Sequence, residues 1–303
     1  MTTIQTEFIQ AGEHRFEVQT CGDPGSDRLA LCLHGFPEHA ISWRLQMPTL
    51  ADLGYRVWAP NQRGYGNSYR PHGVAAYRMQ HLVDDVGRLI DASGCSRVTL
   101  FGHDWGGAVA WAAALSRVRP LERLIVMNLP HPARFMAGLR SWSQLRKSWY
   151  VLFFQLPWLP EWALRAGNAR AVTQAFRSVA ICKDHFTEET LEVYRQNALL
   201  PGAATSMINW YRAAFRHRGD LDGLLGRGEV LQTPTLMVWG EHDPALGVEL
   251  TYGTEDLVSD FTIRYLPVSH WVQQEAPDAV NEIVSAWLQG KLVPGSSRPE
   301  SAG

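Results

Sequence analysis

Short apolar runs recur along the chain, and each is followed by a stretch with helical spacing. Residues 29–33, 56–59, 98–101, 124–127, 235–239 and 262–266 read as buried strands. The helical pattern is clearest over 77–92, where Leu82, Val83, Val86, Leu89 and Ile90 share one face. Strands alternating with helices predict an α/β chain whose central sheet is mostly parallel and covered on both faces. Phe16 and Val18 alternate with polar neighbours, as an antiparallel hairpin opening that sheet would.

The rhythm breaks between Pro132 and Leu224. That segment has no strong β-run and is crowded with aromatic side chains, among them Trp142, Trp149, Tyr150, Phe154, Trp158, Trp162, Trp210 and Tyr211. We read it as a helical cap inserted over the strand ends. The expected division is a core over 1–132 and 224–290, a cap over 133–223 and a disordered tail over 291–303, where Pro, Gly and Ser accumulate. The apolar stretch 150–164 is too short and too proline-rich, with Pro157 and Pro160, to span a bilayer, so no integral membrane segment is expected.

The 303 residues are 46% hydrophobic and 19% charged, enough for a substantial core. A net charge of −2 gives no sign of a nucleic-acid partner or of an anionic membrane surface. The first seven residues lack the basic and apolar regions of an export signal, and Cys21, Cys32, Cys95 and Cys182 form no CxxC pair. Reduced thiols and a cytoplasmic location are the expectation. A homodimer is left open.

Gly102-His103-Asp104-Trp105-Gly106 follows one of the β-runs and precedes a small, helix-compatible stretch. Strand, tight turn and helix in that order make a nucleophile elbow, on which glycines allow one side chain to stand above the sheet. Here that side chain is a carboxylate. A serine attacking a saturated carbon would form an inert ether. A carboxylate forms an alkyl ester whose carbonyl water can attack, and with an ordinary pKa near 4 it is ionised without help from a base. The implied substrate is an alkylating electrophile, an epoxide or a carbon–halogen bond.

Three further elements fall at strand ends, where open α/β sheets place their chemistry. His34-Gly35-Phe36-Pro37-Glu38 is positioned to supply a backbone N–H at Phe36 to an oxyanion hole, with the N–H of Trp105 as the second donor. Gly240-Glu241-His242-Asp243-Pro244 offers Asp243, with Glu241 as competitor, to orient a histidine. Ser269-His270-Trp271 supplies that histidine in the order nucleophile, acid, base. His270 would be the general base and Asp243 would fix its tautomer.

With these residues in place, about residues 5–290 resemble the α/β-hydrolase-fold epoxide hydrolases of the soluble and microsomal type. His34-Gly35-Phe36-Pro37 matches the family's HGxP, whose proline is typically cis, and Gly102 to Gly107 matches its nucleophile motif. Tyr150-Val151-Leu152-Phe153-Phe154-Gln155 resembles YxxYFQ, and Asn209-Trp210-Tyr211-Arg212 resembles NWYR. The resemblance implies that Tyr150 and Tyr211 hydrogen-bond the epoxide oxygen and that no metal or organic cofactor is used. Phe36, Trp105, Phe154 and Trp271 would line the site for an apolar epoxide. Phe153 departs from the motif, which leaves one phenol in that stretch.

Dehalogenases on the same scaffold are the nearest alternative. Haloalkane enzymes usually carry an asparagine where this chain has Phe36, and haloacetate enzymes carry arginines where it has Trp105 and Ala108. A halide also needs no proton to leave, so paired tyrosines favour the epoxide. Asp104 argues against a serine-type esterase. The complete Asp104–Asp243–His270 set argues against a non-catalytic small-molecule receptor.

Overall fold

The computed structural model describes residues 3–147, 149–217, 219–220 and 229–299. Among them lies one eight-stranded sheet in the order β1-β2-β4-β3-β5-β6-β7-β8. The strands are β1 (Gln5–Ala11), β2 (His14–Cys21), β3 (Arg28–Leu33), β4 (Arg56–Pro60), β5 (Arg97–His103), β6 (Arg123–Met127), β7 (Thr235–Gly240) and β8 (Phe261–Leu266). β1 and β2 form the antiparallel hairpin expected around Phe16, β2 pairs antiparallel with β4, and every other pairing is parallel.

The two-residue period of a strand sorts its side chains into two cores. Leu29, Leu31 and Leu33 of β3, Leu100 of β5 and Leu124 and Val126 of β6 pack on one face. They meet α2 (Met79–Ser93) and α3 (Trp105–Ser116). Ala30, Cys32, Phe101, Ile125 and Met127 point the other way. They meet α1 (Met47–Asp52) and the last helix, α10 (Pro277–Leu288). Burial on both sides is why the central strands read as continuous apolar runs.

Register then sets the position of the site. Leu33 lies opposite Gly102, His103 opposite Met127, and Gly240 opposite Leu266. The parallel strands therefore end together on one edge of the sheet. The loops that follow carry His34, Asp104, Asn128, Asp243 and His270.

Between β6 and β7 come the helices α4 (Pro132–Gly138), α5 (Trp142–Lys147), α6 (Trp149–Phe153), α7 (Leu159–Val179, interrupted by non-helical residues 166–169), α8 (Glu188–Leu199) and α9 (Ala203–Arg216). The expected cap boundary at 223/224 lies outside the described residues. Asn197 ties this layer to the core, its amide donating to the Glu38 carbonyl at 3.0 Å and accepting from the Gly66 N–H at 2.7 Å. The Trp210 indole N–H donates to the Arg63 carbonyl at 3.1 Å.

The tail departs from expectation over residues 293–298. The Tyr265 N–H donates to the Ser296 carbonyl at 3.0 Å, and the Arg264 guanidinium donates to the carbonyls of Val293 and Pro294. A charged donor on β8 satisfies carbonyls that composition alone marks as free. Residues 300–303 lie outside the described residues. Cys21 and Cys32 are buried, Cys95 is half-buried and Cys182 is exposed, all as free thiols.

Candidate active site

Asp104 sits between β5 and α3 at φ 49° and ψ −122°, outside the regions that side chains ordinarily occupy. Glycine makes room for that turn. A Cβ at Gly106 would stand 2.1 Å from the Leu33 carbonyl oxygen, and one at Gly35 would stand 2.5 Å from the Asp104 Cβ. The backbone of the 34–38 loop therefore lies directly against the carboxylate. The Phe36 N–H donates to Asp104 Oδ1 at 2.8 Å, and the Phe36–Pro37 peptide is cis.

His270 stands between two carboxylates. Its Nδ1 is 2.6 Å from Asp243 Oδ2, and its Nε2 is 3.6 Å from Asp104 Oδ2. Asp243 is fully enclosed and accepts the N–H groups of Ala245 and Leu246 at 2.8 and 3.0 Å. It also accepts the Asn128 amide at 2.9 Å. Of the two acids in the 240–244 loop, it is thus Asp243 that meets the imidazole. Burial pushes both aspartates up, but the charge and hydrogen bonds of His270 outweigh it and hold each carboxyl below its ordinary value. Burial alone would lower His270. Asp243 first, then Asp104, reverse that and raise it well above its ordinary value.

The two tyrosines arrive from different helices, Tyr150 from α6 and Tyr211 from α9, with ring centroids 5.8 Å apart. Tyr211 packs edge-on against Trp105 at 4.9 Å and Phe36 at 5.1 Å, the residues that flank Asp104 in space. Phe154 closes the group, 4.8 Å from Tyr211 and 6.0 Å from Tyr150. Burial, reinforced by the negative charge of Asp104, raises both phenols. Trp271 is placed differently. It packs on Phe176 at 4.5 Å and on Phe186 at 6.1 Å, with the His270 ring 5.5 Å away, in the packing between cap and core.

Several supporting residues escape a reading of the sequence. Glu38 is buried and accepts the Gly35 N–H at 2.6 Å and the Gln274 amide at 2.9 Å. The same carboxylate meets His103 Nδ1 at 2.8 Å, while His103 Nε2 lies 2.9 Å from the His270 carbonyl oxygen. Glu275 accepts from the N–H groups of Ser269 and Trp271, and from that of Ile181 in the cap. Arg212 donates to the Phe154 carbonyl at 3.0 Å and pairs with Glu161, which fixes the end of α6 against α9. Arg212 sits inside a matched motif and Glu38 directly follows one, but nothing local in the sequence tells what they bond.

An elbow-mounted aspartate, an acid–histidine pair and a helical cap on a mostly parallel sheet define a hydrolase fold with a carboxylate at the turn between β5 and α3. The family model for the alpha/beta hydrolase fold matches residues 31–277. Over 96% of its length the chain is 35% identical to all of the AB hydrolase superfamily protein YfhM of Bacillus subtilis. It is 37% identical to human epoxide hydrolase 4 over 91% of this chain and 76% of that one. Among solved structures, an epoxide hydrolase from Bacillus megaterium, complexed with a naphthyloxy-propanediol product, superposes with a TM-score of 0.83 at 29% identity, covering 93% of this chain and 100% of that one. The chain belongs to the α/β-hydrolase-fold epoxide hydrolases.

Proposed function

We propose that the protein adds water to an apolar epoxide, giving a vicinal diol through a covalent alkyl ester on Asp104. The observation that carries this reading is the pair of phenols, Tyr150 and Tyr211, whose rings meet while Tyr211 packs on Trp105 and Phe36 beside Asp104. One Asp104 oxygen attacks an epoxide carbon. As the carbon–oxygen bond breaks, a phenol donates its proton to the leaving alkoxide. High phenol pKa values suit this role, because the donor stays protonated until an alkoxide appears.

Alkylation also changes His270. The ester is neutral, so one of the two carboxylates that hold the imidazolium is lost and the proton becomes easier to release. That proton restores the tyrosine, and neutral His270 is then free to take a proton from water. The resulting hydroxide adds to the ester carbonyl, whose oxygen is received by the N–H groups of Phe36 and Trp105. Collapse transfers the proton from His270 to the departing diol. Asp104 regains its charge and His270 its proton. Phe36, Trp105 and Phe154 supply the apolar surface, while Trp271 holds His270 from behind.

Mass spectrometry of the His270→Gln protein under single turnover with styrene oxide tests this directly. The expected result is an adduct of one epoxide on the peptide containing Asp104, absent in Asp104→Asn. Diol formation without any adduct would overturn the covalent route. Halide release from a haloalkane without diol formation would move the protein to the dehalogenases.

A further inference from the structure

The outer face of the cap is built unlike the rest of the surface. Trp142, Trp149, Trp158 and Trp162 are 82%, 64%, 72% and 64% exposed, and Leu152 and Leu156 are 62% and 45% exposed. Half of the large apolar side chains exposed among the described residues thus come from residues 142–162. On α6 the division is clear: Tyr150 turns inward to Tyr211, while Trp149 and Leu152 stand in solvent. Trp158 and Trp162 are one helical turn apart, joined by the Trp162 N–H to Trp158 carbonyl bond. An apolar surface of this kind on a folded protein marks a contact with something.

Charge says with what. Residues 132–183 contain eight arginines and lysines and a single acid, Glu161, within a chain whose net charge is −2. Glu161 is itself taken by Arg212. Arg140, Arg146, Arg165 and Arg170 are exposed and form no ion pair among the described residues. The near-neutral total therefore conceals a strongly basic first half of the cap. A second copy docking here would set this positive field against itself. Exposed tryptophans and leucines interspersed with unpaired arginines along one segment are suited to a bilayer interface, where indoles sit at headgroup level and cations meet anionic lipid. No helix among the described residues is long and apolar enough to cross a membrane, so the contact is with the surface.

We propose that the tryptophan-bearing face of α5, α6 and the start of α7 seats the cap on an anionic phospholipid bilayer. Resting on the epoxide reading above, this would place the inward face of α6 beside the phase into which an apolar epoxide partitions.

Co-sedimentation of the full chain with vesicles tests the docking without any substrate. The expected result is pelleting on a roughly 7:3 mixture of phosphatidylcholine and phosphatidylglycerol, weak pelleting on phosphatidylcholine alone, and release by salt. The triple variants W142Q/W158Q/W162Q and R140Q/R146Q/R165Q should each lower the partition coefficient by about tenfold or more. Unchanged thermal midpoints control for folding in both. Failure of the wild type to pellet on the anionic vesicles would overturn the proposal, as would pelleting that neither variant weakens. A wild-type dimer in sedimentation velocity that the tryptophan variant dissolves would reassign the face to a second copy. Asp104→Asn protein that still pellets but makes no diol separates the docking from the chemistry.

Discussion

Asn128 reaches from the end of β6 to place its amide nitrogen 2.9 Å from the same Asp243 oxygen that bonds His270. Its amide oxygen accepts the Gly240 N–H at 2.8 Å, and its backbone takes up φ 42° to make both bonds. One buried side chain thus joins the ends of two strands and holds the carboxylate that bonds His270. Asn128→Ala should cost about 1–3 kcal/mol, because Gly240 and Asp243 each lose a buried partner. Rapid-quench mass spectrometry should show ester hydrolysis slowed by roughly tenfold or more, with alkylation little changed. Equal slowing of both steps would count against a role confined to the base.

In the proposed mechanism Arg212 bears on the other half-reaction. It is buried, bonds the Phe154 carbonyl that ends α6, and is paired with Glu161. Removing it leaves that carboxylate and carbonyl short of donors and frees the helix that carries Tyr150. Arg212→Ala should slow alkylation by about tenfold or more and lower the thermal midpoint. Arg212→Lys should restore little, since one ammonium cannot reproduce the forked contact. Full rescue by lysine would reduce the role to charge alone.

The phenols themselves set the ceiling for that effect. Tyr150→Phe with Tyr211→Phe should slow alkylation about a thousandfold, the usual scale for general acid catalysis, without unfolding the chain. Each single variant should lose less than the pair, because the remaining phenol still faces the leaving oxygen. Near-normal diol formation by the double variant would sink the acid assignment.

Strand positions were legible because both faces of the sheet are buried, which turns residues such as 98–101 and 124–127 into uninterrupted apolar runs. The positions of Asp104, Asp243 and His270 were legible because each lies in the loop that follows a strand, and their order along the chain restricts the choices. The Glu38–His103 and Asn128–Asp243 contacts were not. They join residues 65 and 115 positions apart, and nothing local marks a buried glutamate or asparagine as a partner for a distant loop. The anchored tail failed for the same reason, since its carbonyls are held by Arg264 of β8. Net charge could not reveal the basic stretch 132–183, because it averages that stretch with the acids of the remaining chain.

His270 also links stability to pH. Its folded-state pKa is raised above the ordinary value of about 6.5, so the stabilisation it provides is fully present below that pH and is lost as pH rises through the folded-state value. Asp104 and Asp243 are lowered, and their contribution disappears only as pH falls through the acid range. Thermal midpoints of wild type and His270→Gln should therefore differ most near pH 6 and converge toward alkaline pH. A difference that grows with rising pH would show that His270 is neutral in the resting protein.

Two glycines around Asp104 should respond to alanine in different ways. At Gly106 the added methyl meets backbone, 2.1 Å from the Leu33 carbonyl oxygen, on strands that cannot yield. Gly106→Ala should be destabilised by about 3 kcal/mol or more, or fail to fold. At Gly35 the methyl meets the Asp104 side chain itself, 2.7 Å from Oδ1. Relief there means moving the 34–38 loop, and with it the Phe36 N–H that touches the carboxylate. Gly35→Ala should keep most of its thermal stability yet lose about a hundredfold in ester hydrolysis, the scale for one displaced oxyanion donor. A folded Gly35→Ala protein with normal turnover would remove Phe36 from the oxyanion hole.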